Sequence, residues 1–322
     1  MRTWLIRSLA LLAGLVAGVP SSAQEWPNRS IRIVVPFAPG GSADVFGRAV
    51  AQHLQGVLGQ NVVIDNRPGG GSLIGTDAVA KAAPDGYTLL LMSNTHTVNE
   101  SLIPSKPFAL MRDFAPIAPI SYSDLVLVTK PDLPHRTLAE LIKVAKTRPG
   151  SMSYASSGPG TPYHMAGELF KAMAGISLVH IPYRGSAGAR TDVLGGQLEM
   201  MFDAIPTMTE HIKAGKVRAL ATTGRTRSSI LPDVPTMDEA GVKGYDAVLW
   251  LGLMAPRGTP PAVIQRLNGE LSKYTASAEV KRAWGAQGAT PMTMGVDEFT
   301  RHLNEDIAKW AQVVKVSGAK VE

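Results

Sequence analysis

Residues 31–44, Ile31-Arg32-Ile33-Val34-Val35-Pro36-Phe37-Ala38-Pro39-Gly40-Gly41-Ser42-Ala43-Asp44, decide how the chain is read. Ile31 to Val35 is β-branched and stops at Pro36, which predicts a short buried strand. Pro39-Gly40-Gly41 predicts a turn, with Ser42 as the N-cap of the helix that follows. That helix is expected to run to about Leu58, since Val45, Phe46, Ala49, Val50, His53, Leu54, Val57 and Leu58 form one stripe. Gly59 is placed as its left-handed C-cap. A strand, a glycine turn and a helix N-terminus make an anion site, because unpaired N–H groups point out of the turn. A plain βα connection would carry the same Gly-Gly-Ser, so the loop gains weight only because the pattern recurs.

It recurs at once. Asn61 to Asp65 is a second predicted strand, followed by the glycine turn Asn66-Arg67-Pro68-Gly69-Gly70-Gly71-Ser72 and a helix from Leu73 to Ala83. After the turn Pro84-Asp85-Gly86, the strand Tyr87–Met92 ends in the polar run Ser93 to Thr97. Three βα units in succession predict a parallel sheet covered by helices.

The middle of the chain repeats the plan with different residues. Leu125–Val128 is a strand, and Ser151–Ala155 is another that runs into Ser156-Ser157-Gly158-Pro159-Gly160-Thr161. Thr161 is a good N-cap with Pro162 at the first helical position, and Gly175 stops that helix. Leu178–Ile181 runs into Pro182-Tyr183-Arg184-Gly185-Ser186, Leu198–Phe202 ends at Asp203, and Val217–Thr222 is placed as a last parallel strand. Two sets of strand C-termini, each with Gly/Ser/Thr turns, predict two lobes with one cleft between them, since open α/β sheets bind ligands there. Leu249–Met254 is a linking strand, and helices over 260–274 and 296–317 are expected to pack on an existing lobe.

Length and composition agree with a folded α/β protein: 322 residues, 45% hydrophobic and 18% charged. Residues 1–23 read as a signal peptide, with Arg2 and Arg7, the apolar run Leu9–Val19 and the cleavage pattern Ser21-Ser22-Ala23. The run is too short for a permanent span, which predicts a soluble protein outside the cytoplasm. There is no cysteine, which excludes a lipid anchor on Cys, cysteine nucleophiles and thiolate metal sites. The charge of +6 falls to about +4 without the leader. It is spread along the chain, unlike the clusters of a nucleic-acid binder, and suits anionic ligands.

Catalytic and cofactor motifs are missing. No H-E-x-x-H pair, zinc spacing, G-x-S-x-G elbow, phosphate-binding G-x-x-x-x-G-K-[ST] loop or full G-x-G-x-x-G occurs. No cofactor and no metal are expected. Ser157, His164 and Asp203 fall near the predicted cleft, and an exported hydrolase would need them in one hydrogen-bonded row.

The segments VPFAPGGSAD, VIDNRPGG, APDGYTLL, SSGPGTPYHMAGELFK, IPYRG, LPDVPTMDEAG and WLGLMAPRGTP resemble the substrate-binding proteins of tripartite tricarboxylate transporters, the Bug- or TctC-type periplasmic receptors. The likeness spans the mature chain in order. It implies a two-lobed Venus flytrap of the type II periplasmic-binding class, each lobe a mainly parallel sheet with flanking helices. Lobe 1 would be residues 24–124 plus 245–322, and lobe 2 residues 125–244. The resemblance further implies a non-enzymatic periplasmic receptor, monomeric, that takes a small carboxylate, such as a di- or tricarboxylate or an aromatic acid, and delivers it to a membrane permease. A receptor feeding a sensor kinase would look the same.

Matched position by position, the resemblance implies ligand contacts from Phe37, Gly40, Gly41, Ser42 and Asp44, and from Ser93, Asn94 and Thr95, in lobe 1. In lobe 2 it implies Ser157, Gly158, Gly160, Thr161, His164, Tyr183, Arg184 and Asp203. Arg184 stands where the family often has Lys and would offer a planar fork to a second carboxylate. Asp44 sits awkwardly beside an anion site. It could serve the helix dipole, orient water or meet a ligand amino group.

Overall fold

The computed structural model describes residues 26–320; the predicted signal peptide lies outside the described residues. Strand β1 (Ile31–Val35) buries every residue but Arg32, as expected of a parallel strand covered on both faces. Helix α1 (Ser42–Leu58) lays Phe46, Val50 and Leu54 against the sheet and ends at Gly59 with φ +67°, as predicted. Its N-cap is Gly41, not Ser42, which is instead the first helical residue.

Strands β2 (Val62–Asn66) and β3 (Thr88–Ser93) flank β1 in parallel, with Ile33 level with Ile64 and Leu89. Helix α2 (Leu73–Ala80) lies between them in sequence. The polar run after β3 is helical: Ser93 caps α3 (Asn94–Leu102), and the His96 ring accepts the Ser93 N–H in a reciprocal capping box.

After one turn of helix, α4 (Leu110–Asp113), strand β4 (Phe114–Thr129) runs far longer than the predicted Leu125–Val128. Pro116 and Pro119 conceal its first half, and the register slips beside each. Residues up to Asp124 pair antiparallel with β9 (Val248–Pro256), and Ser121–Ser123 also with β10 (Ala289–Pro291). From Leu125 onward the same strand pairs antiparallel with β7 (Met200–Ala204) and β8 (Arg218–Thr222). The last strand, β8, therefore runs in the same direction as β7, as predicted, with β4 inserted antiparallel between them. Strand β5 (Ser153–Ser156) pairs in parallel with β6 (Val179–Pro182) and β7.

The sheet is mixed, and β4 passes through both of its halves: β2-β1-β3-β9-β4-β10 on one side, β8-β4-β7-β5-β6 on the other. Helices α5 (Leu138–Thr147), α6 (Pro162–Ala174), α7 (Ser186–Leu194) and α8 (Ile205–Lys213) cover the second half. Thr161, Pro162 and Gly175 bound α6 as predicted. The tail forms α9 (Pro261–Ala276), α10 (Ala278–Gly285) and α11 (Val296–Ser317). Trp310 of α11 joins Val98 and Leu102 of α3 and Met165 of α6 in one buried apolar cluster. This two-lobed α/β architecture brings the C-terminal ends of β1, β5 and β6 to a common gap.

Candidate functional site

The gap between the lobes has two connected compartments that share Phe37 and Ser157. The inner one, about 30 Å³, is lined by Gly41, Ser42 and Ser93 on one side and by Tyr163, Gly185 and Ser186 on the other, with Leu249 and Leu251 at its floor. The outer one, about 370 Å³, is lined by Gly69 to Leu73 and Ile103 facing Gly158, Pro159, Thr161, Tyr183 and Arg184. A small-molecule site is typically about 300–1,000 Å³, and a single water needs roughly 10–15 Å³. The outer compartment therefore suits a small organic molecule, and the inner one a single polar group or a water or two.

The first loop is built around Asp44. Its carboxylate accepts the Gly40 N–H at 3.1 Å, where Gly40 turns the chain at φ +80°, and pairs with Arg48 at 2.9 Å. Burial pushes this carboxyl up, but Arg48, the Gly40 amide and Asn66 outweigh it and hold it below its ordinary value. Asp44 thus shapes the loop and lines neither compartment. Gly41 provides no side-chain cap for α1, and the buried Ser42 hydroxyl has no hydrogen-bond partner among the described residues. Phe37 sets its edge against the His96 ring at 6.2 Å.

Of the next three expected contacts, Ser93 alone lines the cleft. The Asn94 amide donates to Val248 O at 2.8 Å, tying α3 to β9, and buried Thr95 accepts the Ser93 hydroxyl at 2.9 Å. Both stand behind the wall.

In lobe 2, Ser157, Gly158 and Thr161 line the outer compartment. The amides of this loop are largely engaged. Gly158 N–H donates to Ser156 Oγ at 3.1 Å and Gly160 N–H to His164 Nδ1 at 3.1 Å, while Thr161 Oγ1 donates to Gly158 O at 2.7 Å. Gly160 packs against Asn99 and Leu102 of α3. His164 faces away from the cleft, stacked on His180 at 4.1 Å and 3.8 Å from Glu168. The Tyr183 hydroxyl bonds to Asp192; burial and that carboxylate push the phenol up to about 12. Asp203 is fully buried and accepts Arg190 Nε at 2.8 Å, Ala204 N–H at 2.8 Å and the Thr207 hydroxyl at 3.2 Å. His164 and Asp203 are therefore not wall residues, and with Ser157 they form no hydrogen-bonded row.

Residues outside the expected set complete the wall. Helix α7 starts at Ser186 with Gly185 as an N-cap that lacks a side chain, and Ser186 faces Gly41 across the gap. Arg190, one turn on, donates to both Ser186 Oγ (3.4 Å) and Asp203. Tyr163 puts its phenol near Ser42, Ser186 and Arg190. Ile181-Pro182-Tyr183-Arg184-Gly185-Ser186 copies the strand–Gly–Ser pattern of the first loop, a signal that could have marked Ser186.

The N-termini of α1, α2, α6 and α7 all abut the two compartments. Each contributes roughly 0.3–1 kcal/mol toward an adjacent negative charge. Among the described residues no acidic side chain lines either compartment, and Arg184 is the charged one that does. The charged and dipolar groups in both walls are thus positive in sign.

Three buried rings around these loops give a pH signature. Burial pulls His96 and His164 down to about 4 and His180 to about 3. The unfolded chain protonates such rings near pH ~6.5, so the folded chain binds fewer protons below that pH. Stability is full above about pH 6.5 and falls on acidification, by at most ~1.4 kcal/mol per pH unit for each ring. Asp124 acts in the opposite sense, because burial and Asp246 push its carboxyl up to about 6. Burial likewise raises the Asp203 and Asp306 carboxyls and lowers the His211 ring. Among the described residues four rings therefore stand against three carboxyls, and the slope runs downhill in acid. The melting temperature is expected to drop between pH 7 and pH 5; a level or rising one would remove the rings from the account.

Similar proteins share this fold. The Tripartite tricarboxylate transporter family receptor profile, TctC, matches residues 46–319. Protein BugT of Bordetella pertussis (strain Tohama I) is 43% identical over 312 residues, covering 96% of this chain and 95% of that protein. The R. palustris protein Rpa4515, solved with adipate, superposes with a TM-score of 0.89 at 34% identity, covering 92% of this chain and 99% of that one. MatC (Rpa3494) of Rhodopseudomonas palustris, solved with bound malate, gives a TM-score of 0.85 at 29% identity, covering 90% of this chain and 100% of that one. Fold and sequence agree: the chain belongs to the tripartite tricarboxylate transporter receptor family.

Proposed function

We propose that this protein is a monomeric periplasmic receptor that closes its two lobes on a small carboxylate and hands the closed complex to a membrane permease, without turning the ligand over. The moving bodies are residues 24–124 with 245–322, and residues 125–244. The wall contacts are Phe37, Gly41, Ser42, Ser93, Ser157, Gly158, Thr161, Tyr183 and Arg184. Gly40, Asp44, Asn94, Thr95, Gly160, His164 and Asp203 hold them in place. The observation that carries this reading is the buried, unpartnered Ser42 hydroxyl where helix N-termini of both lobes meet. The relatives solved with adipate and malate support the ligand class. Delivery to a permease and export to the periplasm rest on the family. Among the described residues no helix is long and apolar enough to cross a membrane.

A ligand closes the cleft only by the affinity it gains in the closed form. A thermal-shift screen of aliphatic and aromatic acids, with their amides as neutral controls, tests the reading. An acid at 100 times its Kd is expected to add about 2.7 kcal/mol of stability, while its amide adds none. Amides that stabilise as well as the acids would overturn the reading.

A further inference from the structure

We propose that His164 and His180 are positioning residues of the binding site: from behind the wall, their stacked neutral rings hold the amides of the loop Ser156–Thr161 in the shape that meets lobe 1. The role rests on the cleft being the carboxylate site.

The loop is the first reason. It leaves β5 at Ser156, takes left-handed φ at Gly158 (+124°) and Gly160 (+72°), and enters α6 at Pro162. Ser157, Gly158, Pro159 and Thr161 of this loop line the outer compartment. The loop also touches lobe 1 directly. A Cβ on Gly160 would run into the Asn99 amide, and one on Gly71 would fall 2.9 Å from Pro159 O. So close a fit leaves little room for another loop shape.

The hydrogen bonds are the second reason. A turn of this kind presents amides that need partners, and the two histidines supply them. Gly160 N–H donates to His164 Nδ1 at 3.1 Å. Gly158 N–H donates to Ser156 Oγ at 3.1 Å, and His180 Nε2 lies 2.6 Å from that same oxygen. Pro159, between them, has no N–H to place. Because Gly160 is the donor, His164 Nδ1 carries the lone pair and the ring proton sits on Nε2, which faces Glu168 Oε1 at 3.8 Å. The ring is fixed in tautomer as well as in place.

The support behind the rings is the third. Tyr154 of β5, His180 of β6 and His164 of α6 stack in one column, with successive centroids 5.0 and 4.1 Å apart. Gly167 brings α6 close enough, since a Cβ there would run into the Tyr154 ring. Tyr154 and Lys171 each donate to Glu168 Oε1 at 2.7 Å, which anchors the carboxylate facing His164. Burial pulls both imidazoles well below their ordinary value, so both are neutral at neutral pH. Packing alone would be served by any two flat apolar rings. A lone pair aimed at a loop amide serves the wall.

The test uses the mature protein with adipate, malate and benzoate as probes. In His164→Asn the side-chain oxygen takes the place of Nδ1 as acceptor, whereas His164→Leu fills the space without one. His180→Gln and His180→Leu form the matching pair toward Ser156. By calorimetry at pH 7, each leucine variant is expected to bind the tightest probe about 10-fold more weakly, the scale of one hydrogen bond, with the two amide variants within about 3-fold of the parent. Nitrogen-15 spectra of the parent should show His164 protonated at Nε2, which decides the matter even where a leucine variant does not fold. Leucine variants that melt early yet bind like the parent would reduce the rings to packing and overturn the proposal. Amide variants as weak as the leucine ones, or a His164 protonated at Nδ1, would do the same. In each of these cases the parent still binds, so the carboxylate reading stands. A parent that binds no acid fails that reading, and this role with it.

Discussion

Replacing Gly185 with alanine will leave a folded protein that closes on its ligand less readily. Gly185 precedes α7 with φ +156° and ψ 160°, a region open to glycine and to little else. A methyl built on it falls 2.6 Å from the Cβ of Ala38, well inside any tolerated contact between carbons. Ala38 belongs to the first loop and Gly185 to the facing one, so the overlap is relieved when the lobes part. A buried core glycine offers no such escape. The clash therefore acts on the closing equilibrium more than on folding.

A ligand that bridges both walls binds in proportion to the fraction of closed molecules. Overpacking of this kind costs about 1–3 kcal/mol, which lowers affinity about 10- to 100-fold. Gly56→Ala is the control, since a methyl there meets nothing within 4 Å in the last turn of α1. It should leave binding intact and stabilise the helix by no more than roughly 0.5–1 kcal/mol, the interior value. Calorimetry would read the affinities, with small-angle scattering for the shape in the presence of ligand. Undiminished affinity in Gly185→Ala, or an equally compact liganded form, would refute closure as the binding step.

What could be read from the chain was whatever is settled within about one turn of backbone. Ile31–Val35, the C-caps Gly59 and Gly175, the Thr161-Pro162 helix start and helix 296–317 all have local causes and lie where predicted. Strand direction has no local cause. Leu125–Val128 looks alike in either direction, and its pairing with β7 and β8 makes it the antiparallel strand between two that run together. The first half of β4 was concealed by two prolines that an interrupted register accommodates.

The site divides in the same way. Glycine turns at strand ends were legible, and most of the residues they carry reach the cleft. Whether a polar side chain faces the cleft or the protein was not legible. His164, Asn94, Thr95 and Asp203 are as polar as Ser42, yet each finds its partners inside. Conversely, Tyr163, Ser186 and Ser72 matter through neighbours distant in sequence or through a hydroxyl left unpaired. Arg190 illustrates this best. Nothing in the run Ala189-Arg190-Thr191 distinguishes it from a solvated helix cation, but its side chain is nearly buried against Asp203.

Arg190→Met will therefore be far more disruptive than an ordinary helix-surface change. Asp203 has no exposure at all, and Arg190 is its counter-charge. Stripping one partner from a buried pair strands the other and costs about 3–5 kcal/mol. Burial already pushes the Asp203 carboxyl up, with Arg190 pulling it down. In the variant burial acts with less opposition, so the carboxyl rises further. A carboxyl raised by folding loses stability as pH climbs, so the deficit should be largest near neutrality and shrink toward about pH 4. Adding Asp203→Asn removes the stranded charge while the amide oxygen still accepts from Ala204 and Thr207, so the double variant should regain more than half of the loss. Urea unfolding at pH 7 and pH 5 measures all three. A single variant within about 1 kcal/mol of the parent, the range of an exposed pair, would mean that this ion pair does not anchor α7. Ser186 would then owe its place in the cleft wall to the backbone alone.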